Sequence, residues 1–278
     1  MKGRILVTGA TGNVGSFLIE RLKNAGVPYM SASPNVKNPN DSEVRFDFTD
    51  RQTFNFSGFD RVFLMRPPQI TNIRRDMLPA LEWFKEIGVR HIVVMSVQGA
   101  QDIPWIPHRK LELEVIKIGL PHTFLRPSFF MQNLTGVHAH EVKEKDELFV
   151  PAGLIGMSFI DAKDIAEASF KILCEPLLHS AKSYTLTGPE VLTYHEVAAI
   201  LSSELGRRII YSSPSVLKFA AAMRRRSMDW SYIFVMIGLY LASRFRPPNR
   251  IFSDLERVVG HKGTTLREFI RREKAVWT

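Results

Sequence analysis

The chain has 278 residues, of which 45% are hydrophobic and 23% are charged, as in ordinary globular proteins. This composition excludes a disordered, collagen-like or disulfide-stapled protein. Residues 201–278 contain 15 basic and 6 acidic side chains and carry the whole net charge of +9. A basic segment can indicate nucleic acid or an anionic membrane as a partner, but no recognised nucleic-acid-binding motif accompanies this one.

One cysteine and the absence of a long apolar run indicate a cytoplasmic protein. Cys174 cannot form an intrachain disulfide, which suits a reducing compartment. The longest nearly apolar run, Trp230–Ala242, has 13 residues. As a helix it would extend roughly 20 Å, short of the ~30 Å hydrocarbon core of a bilayer.

Short β-like runs alternate with helical stretches over the first 130 residues. The strands are expected at Arg4–Thr8, Pro28–Ala32, Glu43–Phe48, Arg61–Met65, His91–Met95 and His122–Leu125. The helices are expected at Asn13–Ala25, Asn72–Ile87 and His108–Ile118. This rhythm predicts βαβ units with right-handed crossovers, and hence an α/β fold with a Rossmann-type, doubly wound parallel sheet.

Beyond Phe130 the rhythm breaks and helices dominate. Strands are expected at Leu148–Val150 and Ser183–Leu186, and helices near Asp161–Leu173, at Thr193–Leu205, from Ser215 to about Ala242 and at Thr264–Val276. We therefore expect residues 1–150 to form the Rossmann domain, to whose sheet later segments return. Residues 151–278 are expected to form a smaller, mostly helical substrate-side domain.

A glycine-rich turn with the spacing G-x-x-G-x-x-G connects the first strand to the first helix, and it reads Gly9-Ala10-Thr11-Gly12-Asn13-Val14-Gly15. Gly9 allows a tight turn, Gly12 lets a pyrophosphate approach the backbone, and Gly15 allows close packing of helix on sheet. The free N–H groups at the helix start would face the phosphates, and Thr11 and Asn13 add side-chain donors. The turn predicts an NAD(P)-binding domain; the alternative is a purely structural turn.

The end of the second strand favours NADP as the cofactor. NAD-specific sites usually place an acid about 20 residues after the glycines, where it binds the ribose 2′-hydroxyl. Here no acid occurs before Asp41, and an adenosine 2′-phosphate would meet Ser33, Asn35 and Lys37. Since this segment contains no arginine, NAD stays open, as does a polar loop without nucleotide contact.

Several further segments resemble one family: Arg45–Phe48, Phe124–Asn133, Phe159–Ala166, Tyr184–Glu190 and Phe269–Trp277. With the glycine turn, they are similar to the NmrA-like branch of the atypical short-chain dehydrogenase/reductase superfamily, over nearly the whole chain. That branch includes NAD(P)H-dependent reductases, quinone reductases and redox-sensing regulators that perform no chemistry. The resemblance therefore implies dinucleotide binding without specifying one activity.

The resemblance also implies positions around the cofactor. Asp47 and Phe48 would lie against the adenine, Met65, Arg66 and Pro67 beside the nicotinamide ribose, and Pro127 to Phe130 near the nicotinamide. Asp47 has an alternative role as a cap of the turn before Asp50. Arg66 departs from the small or apolar residue that is usual there. It would pair with a cofactor phosphate or an acidic substrate, or lie in a solvated loop.

The usual catalytic pair of the superfamily is incomplete in this chain. In its Tyr-x-x-x-Lys motif the lysine holds the ribose hydroxyls and lowers the tyrosine pKa. Lys110 matches the lysine, but Ile106 stands at the tyrosine position, and Ser96 resembles the serine that orients the substrate. Lys110 would bind the ribose and donate a proton through water, or the acceptor would need little acid catalysis, or the site would bind without turnover. His108 is a further ionisable candidate.

The apolar side chains near the expected nicotinamide end predict an apolar pocket, and they are Trp105, Phe129, Phe130, Met131 and Phe149. The first four are predicted to contact the substrate. Such a pocket suits a small apolar, aromatic or quinone-like substrate, although core packing explains some of these residues equally well. His138 and His140 lack a clear third ligand nearby, so no metal is predicted.

Arginines surround the apolar run near the end of the chain: Arg224, Arg225 and Arg226 before it, and Arg244, Arg246 and Arg250 after it. This segment would lie on an anionic membrane surface, form a lid or dimer face, or be an ordinary helix with solvated arginines. The sequence as a whole predicts an NAD(P)H-dependent oxidoreductase that transfers hydride to an apolar carbonyl, quinone or enone. The alternative is a non-catalytic NAD(P)-sensing regulator that binds a protein partner.

Overall fold

A computed structural model describes residues 3–244 and 250–278 of the chain. Its strands are β1 (Arg4–Thr8), β2 (Tyr29–Ser33), β3 (Glu43–Arg45), β4 (Phe59–Met65), β5 (His91–Met95), β6 (His122–Pro127), β7 (Phe129–Phe130), β8 (Glu147–Phe149), β9 (Met157–Ile160), β10 (Lys182–Leu186), β11 (Val191–Leu192) and β12 (Ile210–Ser212). Its helices are α1 (Asn13–Asn24), α2 (Ile73–Asp76), α3 (Leu78–Glu86), α4 (Pro107–Ile118), α5 (Gln132–Thr135), α6 (Ala139–Lys145), α7 (Ala162–Cys174), α8 (Pro176–His179), α9 (Tyr194–Leu205), α10 (Val216–Arg225), α11 (Trp230–Arg244), α12 (Asp254–Val259) and α13 (Leu266–Glu273).

The chain forms two compact units, each built from three segments. Unit 1 comprises Met1–Ser128, Ala162–Leu186 and Ser253–His261, and unit 2 comprises Phe129–Asp161, Thr187–Phe252 and Lys262–Thr278. The division expected at residue 150 differs from these ranges, because 129–150 belong to unit 2 and two later segments belong to unit 1.

Unit 1 contains a seven-stranded parallel sheet in the order β10-β6-β5-β4-β1-β2-β3. Ile5, Leu6 and Val7 of β1 are fully buried, because helices cover both faces of the sheet. On one face, Leu6 shares a hydrophobic core with Leu81 of α3 and Leu111 of α4. The expected Rossmann-type doubly wound sheet is confirmed, and β10 extends it beyond β6.

Most expected elements occur within a few residues of their expected bounds, and the largest difference lies in the helix expected at Asn72–Ile87. That segment forms two helices, α2 and α3, which are separated at Met77. Pro79 stands in the first turn of α3, where its missing N–H is tolerated, but it cannot continue a hydrogen-bonded helix from Arg75. The third strand also ends early, at Arg45, because the chain turns at Asp47.

Unit 2 combines small sheets with helices around its own core. Strands β11, β9 and β7 form one sheet, and β12 pairs with β8. The largest fully buried side chains of this core include Trp277, Tyr194, Phe219 and Phe269. The indole N–H of Trp277 donates to the carbonyl of Leu134 at 3.2 Å, so the last turn of the chain is fixed to α5.

We expect Trp277→Ala to lower the free energy of unfolding by about 3–5 kcal/mol, because it empties a packed site and removes the bond to Leu134. Chemical denaturation followed by circular dichroism measures the loss. The control is Trp105→Ala, since Trp105 is 71% exposed, and its change should stay within about 0.5 kcal/mol. Equal losses in the two variants would contradict the core role of Trp277.

Candidate dinucleotide site

The glycine turn brings α1 into direct contact with the end of β1. Gly9 has a φ of +64°, which L side chains rarely adopt, and its carbonyl accepts the N–H of Gly12 at 3.0 Å. A Cβ on Gly15 would lie only 2.2 Å from the carbonyl oxygen of Gly9, and a Cβ on Gly9 would lie 3.0 Å from Met65. The backbone path therefore requires glycine at positions 9 and 15.

The start of α1 is an uncapped helix N-terminus. Gly12 is the N-cap, no side chain caps the helix, and its first turn contains no acid. The first N–H groups of a helix have no intrahelical acceptor, and the helix dipole favours an anion there. Thr11, Gly12 and Asn13 are exposed, whereas Val14 is buried and offers only its backbone. This turn fits the diphosphate of a dinucleotide.

Thr8 joins the glycine turn to the neighbouring strand. Its hydroxyl donates to the carbonyl of Phe63 at 3.0 Å and accepts the N–H of Met65 at 2.8 Å. In the next strand pair, Met65 lies opposite Met95. The carboxyl ends of β1, β4 and β5 thus meet at one edge of the sheet, where open α/β sheets bind ligands.

The residues predicted around the adenosine already have structural partners. Ser33 accepts the N–H of Asn35 at 3.3 Å, and Asn35 is exposed. Oδ1 of Asp47 accepts the N–H and the hydroxyl of Thr49 at 2.8 and 2.7 Å, which is the turn-capping alternative. Phe48 is buried and packs edge-on against Phe46. Contact of these residues with a nucleotide stays a prediction.

Arg66 is folded back onto its own loop and is not a solvated arginine. Its Nη1 donates to the carbonyls of Pro67, Pro68 and Ile70 at 2.8, 3.2 and 2.7 Å. Burial lowers the pKa of Arg66. Its Nη2 lies 3.4 Å from Nε2 of His108. The pairing of Arg66 with a cofactor phosphate stays a prediction.

A buried carboxylate beneath this edge was missed by sequence reasoning. Glu112 of α4 is fully buried and accepts hydrogen bonds from Ser96 Oγ at 2.7 Å and from Arg126 Nε and Nη2 at 2.9 Å each. Arg109 Nη1 adds a fourth bond at 2.9 Å. Burial by itself would raise the pKa of this carboxyl, but the bonds from Arg126, Ser96 and Arg109 outweigh it and lower the pKa. The Ser96 hydroxyl thus donates inward.

Lys110 lies in the same helical turn but points away from this network. Its side chain is exposed and has no hydrogen-bond partner among residues 3–244 and 250–278, and its backbone N–H bonds to Ile106. Ile106 is the N-cap of α4, so no phenol lies one turn before the lysine. The structure therefore leaves the ammonium of Lys110 available to a ligand.

The four predicted substrate residues have different environments. Trp105 is exposed in unit 1, and Phe129 and Phe130 are half-buried in β7 of unit 2. Met131 is 1% exposed and belongs to the hydrophobic core of unit 2, so for this residue the structure shows core packing. Their role towards a substrate stays a prediction.

His138 lies 2.6 Å from the hydroxyl of Tyr240, and the described part of the chain contains no cluster of three or more metal-ligating side chains.

The basic segment near the end of the chain is partly paired. Nη1 of Arg226 binds Oε2 of buried Glu141 at 2.8 Å, whereas Arg224 and Arg225 are exposed. Arg246 lies outside the described residues. Every helix within 3–244 and 250–278 is too short or too polar to cross a bilayer.

Residues 1–268 match the NmrA-like family. The chain belongs to that family. A relative, an NAD(P)H azoreductase of Xenophilus azovorans, is 30% identical and covers 98% of this chain and 99% of its own. The triphenylmethane reductase of Citrobacter sp., solved with NADP(H), has the same fold, with a TM-score of 0.84, 22% identity and 97% and 99% coverage. NmrA, a negative transcriptional regulator solved with NADP, has a TM-score of 0.78, 18% identity and 99% and 98% coverage.

We expect Glu112→Gln to lower the free energy of unfolding by about 3–5 kcal/mol, because it leaves Arg109 and Arg126 without a carboxylate. The matched control on the same helix is Glu114→Gln. Glu114 pairs with Arg74, whose side chain is 73% exposed, so about 1 kcal/mol or less is expected. Urea denaturation of the two variants measures the difference, and a smaller loss for Glu112→Gln than for its control would refute this account.

Proposed function

We propose that this protein is an NAD(P)H-dependent reductase that transfers hydride to an apolar carbonyl, quinone or enone, with NADP as the favoured cofactor. The observation that carries the proposal is the uncapped start of α1 above Gly9 and Gly15. Membership of a family that includes an NAD(P)H azoreductase supports the reductase assignment. A cytoplasmic location and a small apolar substrate remain part of this proposal.

The chain's own residues would bind the dinucleotide and orient it. The N–H groups at the start of α1 would hold the diphosphate, and the three N–H donors of Lys110 Nζ would bind the ribose hydroxyls. When bound, the reduced nicotinamide supplies the hydride. Glu112 fixes the first turns of α4 through Arg109 and Arg126, and so holds Lys110 at the carboxyl edge of the sheet.

A second candidate function is a non-catalytic NAD(P) sensor with a protein partner. The observation that favours it is Ile106, which offers no proton where the superfamily usually has tyrosine. NmrA shows that this fold also serves a transcriptional regulator.

Titration with NADPH and NADH, followed by absorbance at 340 nm with quinone, azo and triphenylmethane acceptors, separates the two functions. NADPH oxidation with any acceptor supports the reductase. Tight binding without oxidation across the set supports the sensor. If neither dinucleotide binds, both functions are wrong.

Gly12→Asp should weaken NADPH binding by about 100-fold or more, because it places a carboxylate where the diphosphate would approach. Gly12→Ala is the matched control. Its Cβ would lie 3.3 Å from the carbonyl of Gly9, a tight but uncharged contact, so a smaller loss is expected. Isothermal titration calorimetry measures both affinities, and wild-type affinity in Gly12→Asp would show that the phosphate site lies elsewhere.

Lys110→Met should weaken NADPH binding roughly tenfold without loss of stability, because the side chain is exposed and bonds to no described residue. Lys117→Met, on the last turn of the same helix, is the control for removal of a surface charge and should bind normally. Equal affinities of the two variants would argue against a ribose contact of Lys110.

A further inference from the structure

His108 stands at the carboxyl edge of the sheet with one ring nitrogen occupied. It lies in the first turn of α4, after β5, and its Nε2 is 3.4 Å from Nη2 of Arg66, which follows β4. A guanidinium has only donors. Nε2 of His108 must therefore accept this hydrogen bond, and the proton of the neutral ring lies on Nδ1.

The second nitrogen of His108 is available to a ligand. Nδ1 has no hydrogen-bond partner in the described part of the chain, and His108 as a residue is half-buried. Arg66 cannot turn away easily, because its Nη1 is bonded to three carbonyls of the loop that follows β4. The tautomer with Nδ1–H is thus imposed by a neighbouring loop.

The surrounding charges keep this imidazole neutral. Burial and the positive charge of Arg66 lower the pKa of His108 to about 4, and the carboxylate of Glu112 opposes them only weakly. Of the adjacent cations on α4, Arg109 is paired with Glu112 and Lys110 is exposed. His108 therefore presents an uncharged N–H donor throughout the physiological pH range.

We propose that the Nδ1–H of His108 donates a hydrogen bond to the oxygen of the hydride acceptor, and that Arg66 is the positioning residue that fixes its tautomer. This inference rests on the proposed reductase function. It supplies a donor to the acceptor oxygen in a chain whose position 106 has no phenol. Residues two apart on a helix point in different directions, so His108 and Lys110 would contact different groups.

His108 keeps its proton during the reduction step. Hydride addition to the acceptor carbon oxidises NAD(P)H to NAD(P)⁺ and moves the C=O π electron pair onto oxygen. The Nδ1–H of His108 stabilises this developing negative charge, as preorganised donors do. A proton from water then completes the reduced product, and the imidazole stays neutral.

The tautomer is tested first in the resting protein by ¹⁵N NMR of the histidine rings. We expect His108 to show a protonated Nδ1 and an unprotonated Nε2, and its ring to titrate near pH 4. In Arg66→Met the titration should move to higher pH, because the repelling charge is gone. A protonated Nε2 in the wild-type protein at pH 7 would overturn the proposal.

The role in reduction is tested with the quinone acceptors, whose carbonyl oxygen would accept the hydrogen bond, on variants of the whole chain. His108→Phe should lower kcat roughly 100-fold while NADPH affinity stays unchanged, because the donor acts on the acceptor alone. His108→Asn offers an amide N–H near the place of Nδ1 and should recover much of the rate. Wild-type kcat in His108→Phe would overturn this inference alone. A wild-type protein that binds no dinucleotide, or that reduces none of the acceptors, would overturn the proposed function and this inference with it.

Discussion

The close approach of Gly15 to the carbonyl of Gly9 is the constraint on which the candidate site depends. Any side chain at position 15 would overlap that carbonyl, with a Cβ at 2.2 Å. Because the contact is made, α1 begins directly at the end of β1, and buried Val14 and Leu18 hold the helix against the sheet. The uncapped N–H groups are thereby directed at the carboxyl edge of the sheet. At this edge the hydroxyl of Thr8 accepts a hydrogen bond from the backbone of the neighbouring strand β4.

The same edge is shaped by arginines that have fixed partners within the fold. Arg109 and Arg126 converge on one carboxylate, and Arg66 on backbone carbonyls. These groups are held in place and do not need to reorganise when a ligand binds. The positive character of this edge therefore arises within the half of the chain that is neutral overall, and not from the basic residues after 200. This arrangement suits an anionic dinucleotide.

Much of the fold could be predicted from local patterns. Strands buried on both faces are short aliphatic runs bounded by turns, and Arg4–Thr8 and His91–Met95 were predicted with their observed bounds. The glycine spacing located the turn, because only glycine permits that path. The break at Met77 was not predicted, since Pro79 is compatible with a helix start as well as with a kink.

The site was harder to predict, because its decisive partners are brought together only by the tertiary structure. Glu112 is polar by sequence, and nothing near it in the chain indicates that Ser96 and Arg126 will satisfy it. The sequence allowed two roles for Asp47, a contact with the adenine and a cap of the following turn. The structure shows the turn cap and does not test the adenine contact. His108 and Arg66 are 42 residues apart, so their pairing follows only from the neighbouring positions of β4 and β5.

The interleaved segments of the two units have a consequence for how the chain can fold. Strand β10, which completes the sheet beside β6, is translated only after residues 129–161 of unit 2. Until then β6 is an edge strand with unpaired backbone groups, which invites pairing with other chains. A fragment that ends at residue 128 or 150 would keep the glycine turn and yet expose this edge. The first half of the sequence therefore completes its sheet only with a strand that follows it by more than 30 positions, and we expect a fragment without that strand to aggregate.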